Sequence, residues 1–311
     1  MTRARTSILF AAIAATTLTA GAAGAVPPSD AAGTPLRVHE TFHVGMLRVD
    51  HVGAEGGTPI IFIPALFCGP WQWQREIAAL SDRYDIYALT LPGFDGEPAV
   101  AGGDLMNRAV ADLSRLIAAR HLDRPIVVGH SLGGTLAVLF AEGHPRDVRN
   151  VIAVEGGHPV APTPEARRRH VEAAVAPYVG IDRADFASVL RAHVLQYLIT
   201  SKASVDSVER LAARSDPAAV VQWMRDALLL DLTPGLRNIG VPFTEIVPFD
   251  STIDPYRGYA SLAAKRAAYT RWVEHAPEGT VIMIDGARHF VMLDRPDEFD
   301  RVLYEAIARS S

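Results

Sequence analysis

Short apolar runs alternate along most of the chain with longer segments whose apolar residues recur every three to four positions. The short runs predict buried strands, the longer segments predict amphipathic helices, and their alternation is typical of a mostly parallel sheet covered by helices on both faces. The predicted strands are 40–44, 46–52, 60–63, 85–89, 126–128, 151–154, 243–247 and 281–284. We expect the first two to form an antiparallel edge pair. The sequence therefore predicts a doubly wound, mostly parallel, eight-stranded α/β fold.

The strand signal disappears after the sixth strand and returns only with the seventh. Helical patterns at 164–175, 183–198, 204–214 and 217–230 occupy this interval. We interpret residues 159–236 as a helical cap inserted into the domain, above the carboxyl ends of the strands, where open α/β sheets bind their ligands. Its apolar residues favour a substrate with a hydrocarbon part; they are Leu195, Leu198, Trp223, Met224 and Leu228 to Leu230.

The first 25 residues have the pattern of a secretory signal peptide. Arg3 and Arg5 precede the apolar segment 8–18, and Ala23 and Ala25 form an A-x-A-like cleavage site. The apolar segment is shorter than the roughly 20 residues that a membrane-spanning helix needs. We therefore expect residues 1–25 to be removed, residues 26–311 to form a single domain, and the protein to be periplasmic or secreted without stable membrane insertion.

Composition narrows the class of protein further. With 49% hydrophobic residues the chain has enough apolar side chains for one large core, and its single cysteine, Cys68, cannot form an internal disulfide. A formal charge of −5 without basic blocks argues against a nucleic-acid partner. No motif for a metal, phosphate or dinucleotide is present, so we expect no cofactor. The oligomeric state stays open.

Ser131 follows the apolar run 125–128 and precedes a helical pattern at 136–141. Gly129 and Gly133 lie two residues before and after it, where a strained strand-to-helix turn excludes larger side chains. Such a turn exposes the serine hydroxyl at the rim of the sheet, next to the free N–H groups that begin the helix. The pattern predicts that Ser131 is a nucleophile.

A serine nucleophile needs a base, and histidine serves best near neutral pH. His289 is the last of the eleven histidines and follows the predicted strand 281–284 within five residues. The order serine, acid, histidine that is typical of this sheet type requires a base late in the chain. We therefore predict His289 as the base, and we interpret His130 as a structural neighbour whose side chain points away from Ser131.

With these motifs in place, the chain resembles the α/β-hydrolase superfamily, in its capped form. The resemblance rests on 60–71, on Leu-Pro-Gly-Phe at 91–94, on 129–134 and on 288–296. These segments are distributed over nearly all of the chain after the signal peptide, apart from the cap. The resemblance implies a Ser-His-acid triad and an oxyanion hole built from backbone N–H groups.

The family pattern leaves the acid open. In most members it follows the seventh strand, which points to Asp250, with Asp254 as a weaker neighbour. The turn at Asp250 lacks the usual glycine, however, and its interval to His289 is long for one helix and one strand. Other members carry the acid after the sixth strand, where Glu155 stands before two glycines. Glu155 is our preferred candidate, and both aspartates remain alternatives.

The oxyanion of an acyl-transfer reaction needs two donors. One is expected to be the N–H of Leu132, directly after the nucleophile. The resemblance implies that the other comes from the loop 64–67, where the family usually has His-Gly and this chain has Pro-Ala; we assign it to the N–H of Leu66. Cys68 nearby has neither a turn motif nor an evident base, which disfavours a thiol nucleophile.

These residues together predict an exported serine hydrolase that cleaves a carboxylic ester, or a similar acyl bond, of a small and partly apolar molecule. Two alternatives stay open. The same triad can serve C–C bond, peptide or perhydrolase chemistry. The fold can also be that of a catalytically silent binding protein. The acyl and alcohol groups of the substrate are not readable from the sequence.

Overall fold

The computed structural model describes residues 37–309, which include an eight-stranded sheet with the strand order β1-β2-β4-β3-β5-β6-β7-β8. The strands are β1 Val38–Val44, β2 Leu47–Gly53, β3 Thr58–Ile63, β4 Tyr84–Thr90, β5 Ile126–His130, β6 Asn150–Val154, β7 Phe243–Phe249 and β8 Gly279–Asp285. β2 pairs antiparallel with β1 and β4, and every other pairing is parallel. The predicted fold class is confirmed. The predicted signal peptide lies outside the described residues.

The helices surround this sheet and fill the interval between β6 and β7. In chain order they are α1 Gln74–Leu80, α2 Leu105–Ala119, α3 Leu132–Gly143, α4 Pro164–Val175, α5 Arg183–Leu190, α6 Gln196–Leu198, α7 Lys202–Ala212, α8 Pro217–Leu228, α9 Leu262–Val273, α10 Val291–Asp294 and α11 Pro296–Ala308. The predicted helix at 183–198 contains a π-helical turn at Arg191–Leu195 between α5 and α6. Helices α4 to α8 lie between β6 and β7, and we keep the name cap for the predicted insertion 159–236 that contains them.

Local sequence signals start the cap helices. The side chains of Thr163, Ser201 and Asp216 each accept a hydrogen bond from a backbone N–H in the first turn of α4, α7 and α8. Because Ser201 is the N-cap residue of α7, that helix begins at Lys202, two residues before the predicted start at 204. Trp223 of α8 is buried, and its Nε1 donates to the carbonyl oxygen of Pro92 at 3.0 Å, which attaches the cap to the loop after β4.

The central strands bring the candidate residues to one edge. β5 is wholly buried between β3 and β6, as its run of β-branched and small residues leads one to expect. Ile63 at the end of β3 pairs with Gly129, and His130 pairs with Val154 at the end of β6. The loops that follow β3, β5 and β6 therefore leave the sheet side by side. No helix within residues 37–309 has both the length and the apolar character that crossing a membrane requires.

Candidate active site

Ser131 occupies the turn between β5 and α3 with φ 54° and ψ −113°, a conformation that few non-glycine residues adopt. Its backbone N–H donates to the carbonyl oxygen of Val154 at 2.9 Å, which fixes the turn to β6. A Cβ atom at Gly129 would collide with the backbone of Gly133, and one at Gly133 would collide with the carbonyl oxygen of Ile63. The glycines at these positions therefore permit the strained turn that presents Ser131.

A second strained turn lies beside the first. Glu155 follows β6 with φ 43°, and its N–H donates to the carbonyl oxygen of Ile246 at 2.9 Å. A Cβ atom at the next residue, Gly156, would stand only 2.6 Å from the carbonyl oxygen of Ser131. The Glu155 turn is therefore in close backbone contact with the Ser131 turn.

His289 lies in the loop between β8 and α10, residues 286–290, which we call the histidine loop. Its Nδ1 is 2.6 Å from Oε2 of Glu155, and its ring centroid is 4.6 Å from that of His130, the residue before Ser131. Within residues 37–309, Nε2 of His289 and Oγ of Ser131 form no hydrogen bond, either with each other or with another group. With Nδ1–H donated to the carboxylate, Nε2 is left as the proton acceptor of the ring.

The other two acid candidates have different partners. Asp250 accepts hydrogen bonds from Nε of Arg288, at 3.0 Å, and from the backbone N–H of Thr252, at 2.7 Å. Oδ2 of Asp254 accepts a hydrogen bond from the backbone N–H of Asp250 at 2.7 Å, and its other oxygen accepts a hydrogen bond from Lys265. Among the three, Glu155 is the carboxylate that the structure brings to His289.

Lys265 of α9 contacts the second oxygen of Glu155. Its Nζ donates to Oε1 of Glu155 at 2.6 Å and to Oδ1 of Asp254 at 2.8 Å, and its side chain is only 1% exposed. Burial by itself would raise the pKa of Glu155, but Lys265 and the hydrogen bond from His289 outweigh it and hold that pKa well below its usual range. Glu155 is therefore a carboxylate at neutral pH.

His130 has a positional role that the sequence did not reveal. Its Nε2 is 2.9 Å from the carbonyl oxygen of His289, and its Nδ1 is 3.0 Å from Nε2 of Gln72. Burial lowers the pKa of His130 well below its usual range, so the ring is neutral, with Nε2–H donating and Nδ1 accepting. Oε1 of Gln72 in turn accepts the N–H of Ala65 at 2.9 Å. A buried chain of hydrogen bonds thus connects the loop after β3 to the histidine loop.

The loop after β3, residues 64–69, which we call the β3 loop, contains the predicted oxyanion donor Leu66. The neighbouring N–H groups of Ala65 and Cys68 are occupied, by Gln72 and by the carbonyl oxygen of Ala65. Within the described part of the chain, the N–H of Leu66 has no acceptor, and neither has that of Leu132 at the start of α3. The next residue, Phe67, has φ 53°, so this loop too departs from ordinary backbone geometry.

The cap is attached to both loops. Ser215, in the turn between α7 and α8, donates its hydroxyl proton to the carbonyl oxygen of Phe67 at 3.2 Å. On the other side of the site, Phe290 donates its N–H to the carbonyl oxygen of Leu198 at 3.0 Å, and Nη1 of Arg288 donates to that of Gln196 at 2.8 Å. The cap thus holds both the β3 loop and the histidine loop.

Lys265, Gln72 and Ser215 were not singled out from the sequence. The one sequence feature that points to a buried Lys265 is its position among apolar and aromatic residues of α9. For Ser215 it is the position before the Asp-Pro pair that begins α8. Burial raises the pKa of the Cys68 thiol well above its usual value, which keeps it protonated. Within residues 37–309, no three His, Cys, Asp or Glu side chains are grouped so that they could hold a metal ion.

Known proteins resemble this chain in sequence or in fold. The mouse (Mus musculus) 1-acylglycerol-3-phosphate O-acyltransferase ABHD5 is 23% identical over 305 aligned residues, covering 87% of this chain and 83% of that protein. The enol-lactonase from Burkholderia xenovorans LB400 superposes with a TM-score of 0.71 at 17% identity, covering 86% and 100% of the two chains. A thermophilic esterase from Thermogutta terrifontis superposes with a TM-score of 0.70 at 17% identity, covering 87% of this chain and 99% of that one. A sequence model of the alpha/beta hydrolase family matches residues 60–302, and the chain therefore belongs to that family.

Proposed function

We propose that this alpha/beta hydrolase is a serine hydrolase that cleaves a carboxylic ester, or a similar acyl bond, of a small and partly apolar molecule. The observation that carries the proposal is the 2.6 Å contact between Nδ1 of His289 and Glu155, next to the strained turn of Ser131. An ionised carboxylate fixes the histidine tautomer that can accept a proton at Nε2. A serine at the rim of the sheet is the group that this base would serve.

The chemistry follows from these groups. His289 takes the hydroxyl proton as Oγ of Ser131 attacks the substrate carbonyl, and the negative charge of the tetrahedral intermediate is stabilised by the N–H groups of Leu66 and Leu132. The protonated His289, stabilised by Glu155, then gives its proton to the leaving alcohol. A water molecule attacks the acyl-enzyme with the same base, which releases the acid and restores Ser131.

A second acceptor of the acyl group is a specific alternative. The relative ABHD5 is named an acyltransferase, and the same acyl-enzyme would pass its acyl group to an alcohol if one occupied the position of the water. Adding a panel of alcohols, including glycerol derivatives, to the ester assay tests this. New ester formed at the expense of free acid would support transfer, and acid alone would support hydrolysis.

Fluorophosphonate labelling and turnover of activated short-chain esters test the main proposal. We expect the wild-type protein to be labelled at Ser131 and to turn over esters, and Ser131→Ala to lose both while it unfolds at an unchanged temperature. A catalytically silent binding protein would show neither reaction. Activity that survives in Ser131→Ala would overturn the assignment of the nucleophile.

We also propose that the protein is exported, on the strength of the predicted signal peptide. Expression in a bacterial host with and without residues 1–25, followed by fractionation and N-terminal sequencing, tests this. We expect the chain that contains residues 1–25 to be cleaved near Ala25 and recovered from the periplasm or medium. The chain without these residues should stay inside the cell.

A further inference from the structure

Lys265 forms a buried three-residue cluster with Glu155 and Asp254. The ammonium group contacts one oxygen of each carboxylate, at 2.6 and 2.8 Å, and the exposed side-chain fractions of Lys265, Glu155 and Asp254 are 1%, 9% and 3%. A buried ammonium is strongly disfavoured unless it is paired, and here it has two partners. Because Lys265 uses Oε1 of Glu155, the other oxygen, Oε2, is directed to His289.

The charges of this cluster do not cancel. Two carboxylates and one ammonium carry a net charge of −1. Burial alone would lower the pKa of Lys265, but Glu155 and Asp254 outweigh it and raise that pKa, so the lysine stays protonated. The other titratable groups that interact with Glu155 are Arg257, Glu245, His130, Tyr259 and Tyr269.

Most of these neighbours are neutral near pH 7. Burial raises the pKa of Glu245 and of Tyr269 well above their usual values, raises that of Tyr259, and lowers that of His130. Arg257 is the charged one, and it is exposed, with its Nη2 donating to the carbonyl oxygen of Tyr197. The buried charge behind His289 is therefore set by the three-residue cluster.

We propose that Lys265 and Asp254 are positioning residues of the site: Lys265 orients the Glu155 carboxylate toward His289, and Asp254 supplies the second negative charge that leaves the cluster at −1, which a protonated His289 neutralises. The inference rests on the proposed function of Ser131, His289 and Glu155. Without Asp254, the Lys265–Glu155 pair would be neutral, and the buried site would stabilise the imidazolium less. Without Lys265, the carboxylates of Glu155 and Asp254 would together stabilise the protonated His289 too strongly for it to release its proton.

This arrangement gives opposite effects for two substitutions in one cluster. Lys265→Met removes a positive charge, so the Glu155–His289 pair stays protonated up to a higher pH. While it is protonated, His289 cannot act as a base. Asp254→Asn removes a negative charge, so the pair releases its proton at lower pH. We expect the acidic midpoint of the pH–rate profile to move up by about one unit in the first variant and down by about one unit in the second. The double variant restores the net charge of −1, and its midpoint should return close to that of the wild type.

The rate of fluorophosphonate labelling and kcat/KM for an activated ester, each measured from pH 4 to pH 9, provide the readout. Lys202→Met is the matched control, because Lys202 is the only other lysine of the chain and is exposed at the start of α7. A packing defect would lower rates without moving the midpoint. Midpoints that stay in place, or that move in the same direction in both single variants, overturn the proposal.

Asp254→Asn keeps the shape of the side chain and decides the question even if Lys265→Met does not fold: a midpoint that fails to fall in this variant overturns the proposal alone. The titration of the His289 ring, followed by NMR in the Ser131→Ala background, tests the role of the cluster separately from the proposed function. If the wild type is neither labelled nor active, the proposed function fails. The opposite shifts of the ring signal then still report whether the cluster sets the charge at His289.

Discussion

His130 donates a hydrogen bond from Nε2 to the backbone carbonyl oxygen of His289, at 2.9 Å. The residue directly before the candidate nucleophile therefore holds the backbone of the candidate base. Gln72 extends this connection to the N–H of Ala65 in the β3 loop. Because the neutral His130 ring has one donor and one acceptor, both of its nitrogens are satisfied in this one arrangement. The three loops that the proposed reaction needs are thus joined by a single buried chain of hydrogen bonds.

Breaking this chain should slow the reaction while the nucleophile and base remain. His130→Phe keeps a ring of similar size but leaves the carbonyl oxygen of His289 and Nε2 of Gln72 without their His130 partner. The loss of about 1–3 kcal/mol for such buried groups corresponds to a decrease in kcat/KM of roughly 10- to 100-fold if it falls on the transition state. Steady-state kinetics with an activated ester measure the effect.

Gln72→Leu should have a similar effect, and the double variant should be far less impaired than the product of the two single effects, since both belong to one chain of hydrogen bonds. His144→Phe is the matched control: this histidine stacks on Phe140 and bonds to Ser114 and Asp147, away from the site. Fully multiplicative effects of Gln72→Leu and His130→Phe would show that the two residues act separately.

Two of the candidate acids, Glu155 and Asp250, can be separated by isosteric substitution. Glu155→Gln removes the charge that holds His289 in its tautomer, and we expect kcat to fall by about 10³- to 10⁴-fold, as for other triads that lose this charge. Asp250→Asn removes an acceptor of Arg288 and not of His289, so a decrease of less than about tenfold is expected. A larger loss in Asp250→Asn than in Glu155→Gln would assign the acid to Asp250.

The order of the elements could be anticipated, and Ser131, His289 and Glu155 could be named as candidates, because each depends on a local pattern. A serine between two glycines at a strand end, a late histidine after the last strand and a carboxylate before two glycines are all visible over a few residues. The choice among the acids could not be settled in that way. It depends on which carboxylate lies close to Nδ1 of His289 in the fold, where Glu155 follows β6 and His289 follows β8. A local sequence pattern does not indicate that distance.

The supporting residues were invisible for the same reason. Gln72 and His130 are 58 positions apart in the sequence, and Lys265 and Glu155 are 110 apart. Their partners are determined by tertiary packing, and neither a glutamine in an apolar loop nor a single lysine in a helix indicates a buried partner. A buried lysine becomes informative only when the helix face is known, because charged residues are rarely buried unless they are paired.

Glu245 provides a test of stability rather than activity. This residue of β7 is fully buried; its Oε1 accepts the N–H of Gly156 at 3.0 Å, and its Oε2 has no partner within residues 37–309. Burial raises its pKa well above the usual value, so the folded protein keeps a proton that the unfolded chain releases above about pH 4.5. Its contribution to the free energy of unfolding therefore falls as pH rises from that value toward the folded pKa, by up to about 1.4 kcal/mol per pH unit.

Glu245→Gln keeps the acceptor for Gly156 and removes this titration. We expect the difference in the free energy of unfolding, variant minus wild type, to grow more positive between pH 5 and pH 8 in urea denaturation. Glu165→Gln is the control, because Glu165 is exposed on α4. A difference that is constant over this range would show that Glu245 is ionised in the folded protein.

The attachment of the cap to the β3 loop rests on Ser215, which is fully buried. Its hydroxyl donates to the carbonyl oxygen of Phe67 at 3.2 Å and accepts the N–H of Asp95 at 3.3 Å. Ser215→Ala leaves both backbone groups without this partner, so we expect the free energy of unfolding to fall by about 1–3 kcal/mol.

If this contact also holds the Leu66 N–H in place, Ser215→Ala should lower kcat by about tenfold with little change in KM, because the oxyanion donor acts in the transition state and not in substrate binding. Ser188→Ala is the matched control, since the exposed Ser188 hydroxyl donates to the carbonyl oxygen of Asp185 within α5. Urea denaturation and steady-state kinetics on both variants separate the two effects. A variant that loses stability but keeps its kcat would show that the cap stabilises the fold at this point without positioning the oxyanion donor.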